Sequence, residues 1–166
     1  QKGIILVYST IIIRIIAMRI TYKGDYALKA ILDLAIHYRD KPDPVSIQHM
    51  AGRLDIPIKF LEQVLLELKK GGFVESRRGK VGGYLLSRPP SEISLGHVVR
   101  FIVSPVEPIA CVEDGYKGCR DIYKCVFREV WQRVSDATMR IVDGVTFSDL
   151  LENLNRKDKE QMVYQI

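Results

Sequence analysis

Two short amphipathic segments separated by a tight break are the feature of this sequence that most constrains its fold. The first begins after Ser46 and stops near Asp55, and the second begins after Pro57 and ends at a pair of glycines. Apolar residues recur at intervals of three and four in both segments, which indicates two helices. The second carries Lys69 and Lys70 in its last turn, where cations suit the helix dipole. Two short helices joined by a tight turn predict a helix-turn-helix.

A short hairpin follows the second helix directly. Residues 73–78 and 84–87 have the composition of strands, and the Gly-rich segment 79–83 between them predicts a turn. Because this hairpin is attached to the second helix of the pair, it predicts a β-wing. We therefore predict a winged helix-turn-helix DNA-binding domain over residues 18–90.

Helical periodicity also precedes and follows this unit. One helix begins after Thr21, a short one begins after Ser94, and a long one spans residues 125–142. The apolar face of the long helix is wider than an isolated surface helix needs, which favours a partner helix over packing on its own domain alone. Helix-turn-helix proteins commonly bind two half-sites on DNA, and this also favours a homodimer.

The whole pattern predicts a mainly α fold with a small β-wing, in which the winged helix-turn-helix domain is joined to a long dimerisation helix. Residues 91–155 are predicted to hold a cysteine loop, that long helix and a short last helix ending near Leu154, and residues 156–166 form a polar tail. Residues 1–17 are Ile-rich, but the run is short for a membrane-spanning helix and lacks a signal-peptide cleavage site. We expect an upstream extension or a disordered apolar segment there rather than an anchor.

Composition and motifs exclude several classes of protein. With 27% charged and 47% hydrophobic residues among 166, the chain is neither disordered nor a multi-span membrane protein. No nucleophile–base motif, phosphate-binding loop or metal-water site is found in the sequence, and His37, His49 and His97 are isolated. We therefore do not expect an enzyme or a membrane partner.

The basic surplus of the chain is confined to one stretch. Residues 69–88 contain six basic side chains against Glu75 alone, which accounts for the whole net charge of +5. A local basic patch attracts polyanions through phosphate contacts and counterion release. From the charge alone, a solvated hairpin that binds no partner is an equally good interpretation. The patch is contiguous with the helix pair and the wing, however, and this favours double-stranded DNA as the partner.

The second helix and the wing supply the predicted DNA contacts. The N-terminal residues of the second helix of a helix-turn-helix reach base edges in the major groove. Gln63 suits adenine, Lys59 suits guanine or phosphate, and Glu62 suits cytosine while it repels phosphate. Phe60 either touches a thymine methyl or packs inward. The wing tip suits a narrow minor groove, which attracts arginine. The predicted wing contacts are Arg77, Arg78, Gly79 and Lys80.

All three cysteines fall within fifteen residues, with the spacing C-x7-C-x5-C: Cys111, Cys119 and Cys125. Structural buried thiols are not expected to cluster in a loop rich in glycine and charge. Three thiolates favour a metal centre that takes one more ligand from elsewhere, and both zinc and iron–sulfur clusters tolerate three cysteines. A redox dithiol and inert thiols remain alternatives.

Four parts of the sequence carry a family likeness: MRITYKGDYA at 18–27, FLEQ at 60–63, RGKVGGYLL at 78–86, and the cysteine loop before a Trp-bearing helix. Together they resemble the Rrf-type winged-helix regulators, which include members of the IscR, NsrR and CymR types. The resemblance implies a homodimeric, cytoplasmic transcription factor, which we interpret as a repressor. It also implies that the three cysteines bind an iron–sulfur cluster, 2Fe–2S or 4Fe–4S, that modulates DNA affinity.

The fourth ligand is where members of the family differ. IscR-like members carry a His three residues after the last cysteine, where this sequence has Arg128, and an arginine cannot ligate iron. NsrR-like members use an Asp at the start of the first helix, and Asp25 matches that position. Equally, Asp25 can be an ordinary first-turn Asp that the helix dipole favours. The spare candidates are Glu113, Asp114, Glu129 and His37. The alternative is a cluster-free, CymR-like regulator controlled by thiol oxidation, zinc or a partner protein.

Overall fold

The chain folds into six α-helices and one two-stranded sheet within the part that the computed structural model describes, residues 20–38, 43–79, 81–103 and 109–163. In chain order the elements are α1 (Tyr22–Ile36), α2 (Ile47–Leu54), α3 (Ile58–Lys70), β1 (Val74–Arg77), β2 (Gly83–Leu86), α4 (Leu95–Val103), α5 (Val126–Asp143) and α6 (Phe147–Val163), with 3₁₀ turns at Pro90–Glu92 and Ala110–Val112. The predicted extension at residues 1–17 lies outside the described residues. None of the helices in the described ranges is both long enough and apolar enough to cross a membrane.

Hydroxyl side chains define where three of the helices begin. The Oγ atoms of Thr21, Ser46 and Ser94 each accept a hydrogen bond from the backbone N–H three residues later, at 3.2, 3.3 and 3.2 Å respectively. Such a cap satisfies one of the N–H groups that a helix leaves unpaired at its start. The predicted starts of α1, α2 and α4 are therefore confirmed.

The predicted helix-turn-helix is present as α2 and α3. Between them Asp55 adopts a left-handed conformation with φ of 53°, and Ile56 turns into the core with only 4% of its surface exposed. After α3, Gly72 has φ of +71°, and the N–H of Phe73 donates to the Leu68 carbonyl at 3.0 Å, which closes the end of the helix. The turn between the two helices and the end of the second are thus fixed by local backbone conformation.

The wing is an antiparallel hairpin in which Val74 lies opposite Leu86 and Arg77 lies opposite Gly83. A third piece of chain joins it, because Val45 and Tyr84 exchange backbone hydrogen bonds of 2.8 and 2.9 Å. Val45 comes just before α2, so the wing is attached to the start of the helix-turn-helix as well as to its end. The sequence predicted the hairpin but not this third contact.

The core lies between α1, α3 and α4 and is closed on one side by the start of α6. Its largest fully buried side chains include Ile31, Met50, Leu61, Leu65, Leu68, Val98 and Phe147. A charged pair links α1 to α2 at its edge: Arg53 donates through Nε and a terminal nitrogen to the two carboxylate oxygens of Asp33, at 2.9 and 2.8 Å. This bidentate pairing satisfies a carboxylate that is only 5% exposed, and it raises the pKa of Arg53.

The two C-terminal helices differ from each other in their packing. In α6, Phe147 is 1% exposed and belongs to the core, whereas in the 18 residues of α5 only Ser135 is buried. The prediction that the last helix ends near Leu154 is wrong, because α6 continues to Val163. The physical reason is that residues 155–163 contain no glycine or proline and consist mainly of good helix formers.

Candidate nucleic-acid interface and cysteine loop

Helix α3 has one buried apolar face, and its other side chains are wholly or partly exposed. Leu61, Val64, Leu65 and Leu68 are buried, as expected for apolar residues repeating at three- and four-residue intervals. The four predicted base-contacting side chains are all exposed on the other side: Lys59, Phe60, Glu62 and Gln63. Phe60 is 58% exposed, so of its two predicted orientations the structure adopts the outward one.

The tip of the wing projects from the body of the protein. Arg77, Arg78 and Gly79 are exposed, and the N–H of Gly82 donates to the Gly79 carbonyl at 3.0 Å to close the turn. Gly79 has φ of +116°, a conformation that side-chain-bearing residues rarely adopt. Lys80, the fourth predicted wing contact, lies outside the described residues.

The wing and α3 are neighbours, and side chains join them. The Nζ of Lys69 in the last turn of α3 donates to Ser76 Oγ on β1 at 2.6 Å. Burial raises the pKa of the Tyr84 phenol on β2, and the negative charge of Glu62 on the neighbouring α3 raises it further. The exposed face of α3 and the basic wing tip therefore form one surface, which we call the reading surface.

Two cations of the basic stretch have partners within the protein. Lys69 is engaged with Ser76, and the guanidinium of Arg88 lies 5.5 Å from the centre of the Phe73 ring, a cation–π contact at the base of the wing. Arg77 and Arg78 are exposed at the tip. The charge count of the sequence did not separate these two groups, because it carries no information on intramolecular partners.

The cysteine loop begins with a 3₁₀ turn and ends at α5. Cys111 lies in that turn and Cys125 precedes the first residue of α5; both are half-buried, whereas Cys119 is exposed. Arg128 connects the two ends of the loop. Its Nε donates to the Cys111 carbonyl at 2.9 Å, and its backbone N–H donates to the Cys125 carbonyl at 3.3 Å. The sequence did not predict this contact, because the side-chain hydrogen bond joins residues 17 positions apart.

The donor set suits an iron–sulfur cluster by its chemistry, because three free thiols supply the soft thiolate ligands that such clusters take. The three thiols are not gathered, however. Within the described ranges no group of three or more His, Cys, Asp or Glu side chains is placed to hold a metal ion. The predicted fourth ligand, Asp25, is engaged in the first turns of α1, where its carboxylate lies 2.7 Å from Lys29 Nζ and raises the pKa of that ammonium.

Comparisons with known proteins agree with this architecture. Residues 20–153 match the Rrf2 family model, described as an iron-dependent transcriptional regulator. An rrf2-like HTH-type transcriptional regulator of Rhodobacter capsulatus is 39% identical over 137 residues, which cover 80% of this chain and 91% of the relative. The solved structure of CymR, the global cysteine regulator of B. subtilis, is 29% identical with a TM-score of 0.68, covering 82% of this chain and 98% of that one. The structure of T. potens IscR is 31% identical with a TM-score of 0.65, covering 82% and 88%.

These matches confirm the predicted resemblance and the predicted winged-helix fold. They also agree with the prediction that the chain is not an enzyme, since the proteins of this family are regulators of transcription. The chain belongs to the Rrf2 family of DNA-binding transcriptional regulators.

Proposed function

We propose that this chain is a homodimeric repressor that binds double-stranded DNA through the reading surface, and that the state of its cysteine loop sets its affinity for DNA. The observation that carries the proposal is the continuity of that surface. The exposed side chains of α3 and the arginines of the wing tip lie on neighbouring elements joined by the hydrogen bond from Lys69 to Ser76. The Tyr84–Val45 pairing also fastens the wing to the segment before α2.

On the DNA, α3 occupies the major groove with Lys59, Glu62 and Gln63 towards the base edges, and Phe60 reaches a thymine methyl. The wing tip lies against the adjacent backbone and minor groove through Arg77, Arg78 and Gly79. Lys80, which lies outside the described residues, stays a predicted contact of the wing. Arginine contacts there neutralise phosphates and supply affinity that does not depend on sequence, whereas the α3 contacts supply discrimination.

Single substitutions on the two parts of this surface test the division. The probe is a duplex selected from a random library by the wild-type protein, compared with a scrambled duplex of equal composition. Arg78→Ala should weaken binding to both duplexes and lower the slope of log Kd against log salt by about 1. Gln63→Ala should cost about 1–3 kcal/mol on the selected duplex only.

Arg156→Ala serves as the matched control, because it removes an exposed arginine from α6. It should leave both the affinity and the salt slope unchanged. The proposed DNA contacts would be refuted if Arg78→Ala and Gln63→Ala together left affinity and salt slope at the wild-type values.

The dimer is proposed from the surface of α5. Five of its apolar side chains are 40–75% exposed: Val126, Phe127, Val130, Trp131 and Ile141. A second copy of the same helix would remove this apolar area from water. Two subunits would also present two α3 helices to half-sites about one turn of DNA apart.

The cysteine loop is proposed to bind an iron–sulfur cluster through Cys111, Cys119 and Cys125, with Asp25 as the fourth ligand. A bound cluster supplies ligation chemistry that responds to redox state, nitric oxide or iron–sulfur supply. The chain's own part in regulation is mechanical. The loop leads directly into α5, so a change in loop packing alters the start of α5 and, through the dimer, the separation of the two reading surfaces.

Anaerobic purification with visible absorbance and iron and sulfide quantitation tests this part. Wild-type protein should be coloured, and Cys119→Ala should lose iron and sulfide together. Asp25→Ala should lower cluster retention, whereas Asp121→Ala, which removes an exposed carboxylate from the loop itself, should not. A colourless, iron-free wild-type protein that binds the selected duplex tightly would refute the cluster.

The second candidate function is a cluster-free regulator controlled by thiol oxidation. All three cysteines are free thiols and Cys119 is exposed, so an oxidant has access to the loop. In this case iron-free protein should change its DNA affinity on treatment with diamide, and Cys119→Ala should abolish the change. A regulator controlled by a partner protein should not respond to diamide, and one controlled by zinc should change its DNA affinity when a chelator removes the zinc.

A further inference from the structure

The side chain of Arg128 has a specific partner in the cysteine loop. It lies in the first turn of α5, and its Nε donates a 2.9 Å hydrogen bond to the backbone carbonyl of Cys111, partly shielded from water. The next residue, Val112, is 6% exposed, so this end of the loop packs against the protein. Cys119, in the middle of the loop, is exposed.

The same residue also contacts the other end of the loop. The main-chain N–H of Arg128 donates to the Cys125 carbonyl at 3.3 Å, three residues earlier, and this bond does not depend on the side chain at position 128. Two of the three cysteines therefore have their backbones hydrogen-bonded to one residue. A guanidinium is permanently charged and offers several donors in a rigid plane, so it suits a carbonyl held at a fixed position better than a flexible ammonium does.

We propose that Arg128 is the positioning residue of the cysteine loop: by binding the Cys111 carbonyl to the first turn of α5, it holds Cys111 and Cys125 at one end of the helix and leaves Cys119 as the ligand that must approach. The role of Arg128 in metal binding rests on the proposed metal-binding function of the loop, whereas its positioning of Cys111 does not. Arg128 orders the backbone around two of the ligands and donates nothing to the metal. Residues that orient ligands in this way affect metal affinity by about 10–100-fold when they are removed.

The test uses reduced, iron-free full-length protein, so that the geometry is measured without the metal. Timed alkylation with N-ethylmaleimide, followed by mass spectrometry, gives a rate for each cysteine. Arg128→Ala should raise the rate at Cys111 about tenfold, the size expected for losing one charge-assisted hydrogen bond, and leave Cys119 within about twofold of wild type. Arg128→Gln keeps an N–H donor without the charge, so its alkylation rate at Cys111 should lie between those of wild type and Arg128→Ala.

Whether the alkylation rate at Cys111 rises or falls distinguishes a positioning role of Arg128 from an effect of its charge alone. If Arg128 acted only as a nearby cation, its removal would disfavour the thiolate and slow alkylation at Cys111, because the thiolate is the reactive form. Arg140→Ala is the matched control, since Arg140 lies on the same helix and also donates Nε to a backbone carbonyl, that of Asp136 at 3.4 Å. It should leave all three rates unchanged. An unchanged or slower rate at Cys111 in Arg128→Ala would overturn the proposal.

A second measurement connects the geometry to metal binding. After anaerobic reconstitution with ferrous iron and sulfide, Arg128→Ala should lose cluster to a chelator about tenfold faster than wild type. Equal rates of loss would overturn the proposed purpose. Should the wild-type protein itself take up no iron, the proposed cluster is wrong, whereas the alkylation rates still decide whether Arg128 positions Cys111.

Discussion

Helices α3 and α5 carry the same kind of amphipathic sequence pattern but differ in what the chain offers them to pack against. Four apolar residues of α3 are covered by the core, and each of them is 2% exposed or less. The longer α5 leaves Val126, Phe127 and Ile141 at 69–75% exposure. An amphipathic pattern thus predicts that a helix has a partner, but not whether that partner belongs to the same chain.

The ion pairs of the two helices are similarly half-exposed, so the core beneath α3 is what distinguishes the two attachments. Lys23 pairs with Glu67 of α3 at 3.0 Å, and Lys69 bonds the wing, in addition to the apolar core beneath. α5 is joined to the body through half-exposed contacts such as Arg100–Asp143 at 2.7 Å. Exposed ion pairs contribute only about 0–1 kcal/mol each. We therefore expect α5 in a monomer to exchange its amide protons faster than α3.

The largest expected effect comes from opening a cavity under α3. Leu65→Ala should lower the free energy of unfolding by about 3 kcal/mol, because Leu65 is fully buried and the surrounding core cannot collapse around the gap. Val130→Ala on α5 should cost less than about 1 kcal/mol at protein concentrations low enough to favour the monomer. Urea titration of both variants gives the comparison, and equal losses would show that α5 is as fully packed as α3.

The next effect separates association from folding. Val130→Lys adds a cation to the exposed face of α5 beside Arg133 and Arg140, so a second copy would meet like charge and lose apolar contact. We expect the dimer dissociation constant to rise about 100-fold, a loss of roughly 2.7 kcal/mol. Sedimentation equilibrium measures it. Ile36→Lys is the control, since Ile36 is 52% exposed against 55% for Val130 but lies on α1. Equal association of wild type and Val130→Lys would place the interface elsewhere.

Glycines of the DNA-binding half give a pair of smaller effects with opposite signs. A Cβ at Gly83 would overlap the Val45 carbonyl, where β2 approaches the segment before α2, whereas a Cβ at Gly52 in α2 would meet no atom within 4 Å. Gly83→Ala should destabilise the fold by about 1–3 kcal/mol through this clash. Gly52→Ala should stabilise it by about 0.5–1 kcal/mol, because alanine favours a helix. Thermal unfolding measures both, and a neutral Gly83→Ala would mean that the wing is not held against Val45.

Local signals in the sequence were sufficient for most of the fold. The caps at Ser46 and Ser94 and the glycines after α3 act within four residues of themselves, so the starts of α2 and α4 and the end of α3 could be predicted. The extension of α6 beyond Leu154 could have been predicted from helix propensity, which the polarity of the segment concealed.

Contacts between distant residues could not be predicted in the same way. The Val45–Tyr84 pairing and the bond from Arg128 to Cys111 join residues far apart in the chain, and nothing in their local sequence specifies the partner. Charge counting identified the basic stretch but not that Lys69 bonds Ser76. For the candidate site, residue types and spacing predicted which side chains are exposed on α3, whereas the separation of the three thiols depends on tertiary structure.

The smallest expected effect concerns the start of α6, which follows α5 in sequence but packs with the core through Phe147. The carboxylate of Asp149 accepts hydrogen bonds from the backbone N–H and the hydroxyl of Thr146, at 2.8 and 2.7 Å, and these lower its pKa below the ordinary value of 3.8. A lowered pKa in the folded state means that the stabilisation is present above the ordinary value and is lost as pH falls through the lowered one.

Asp149→Asn should therefore lower the melting temperature near neutral pH, and this difference should shrink as the solution is acidified below 3.8. Glu152→Gln, which removes an exposed carboxylate from the second turn of the same helix, is the control for lost charge. If the effect of Asp149→Asn were as large at pH 2 as at pH 7, the ionised cap would not be what secures α6 to the core, and the start of α6 would belong with the loosely held α5.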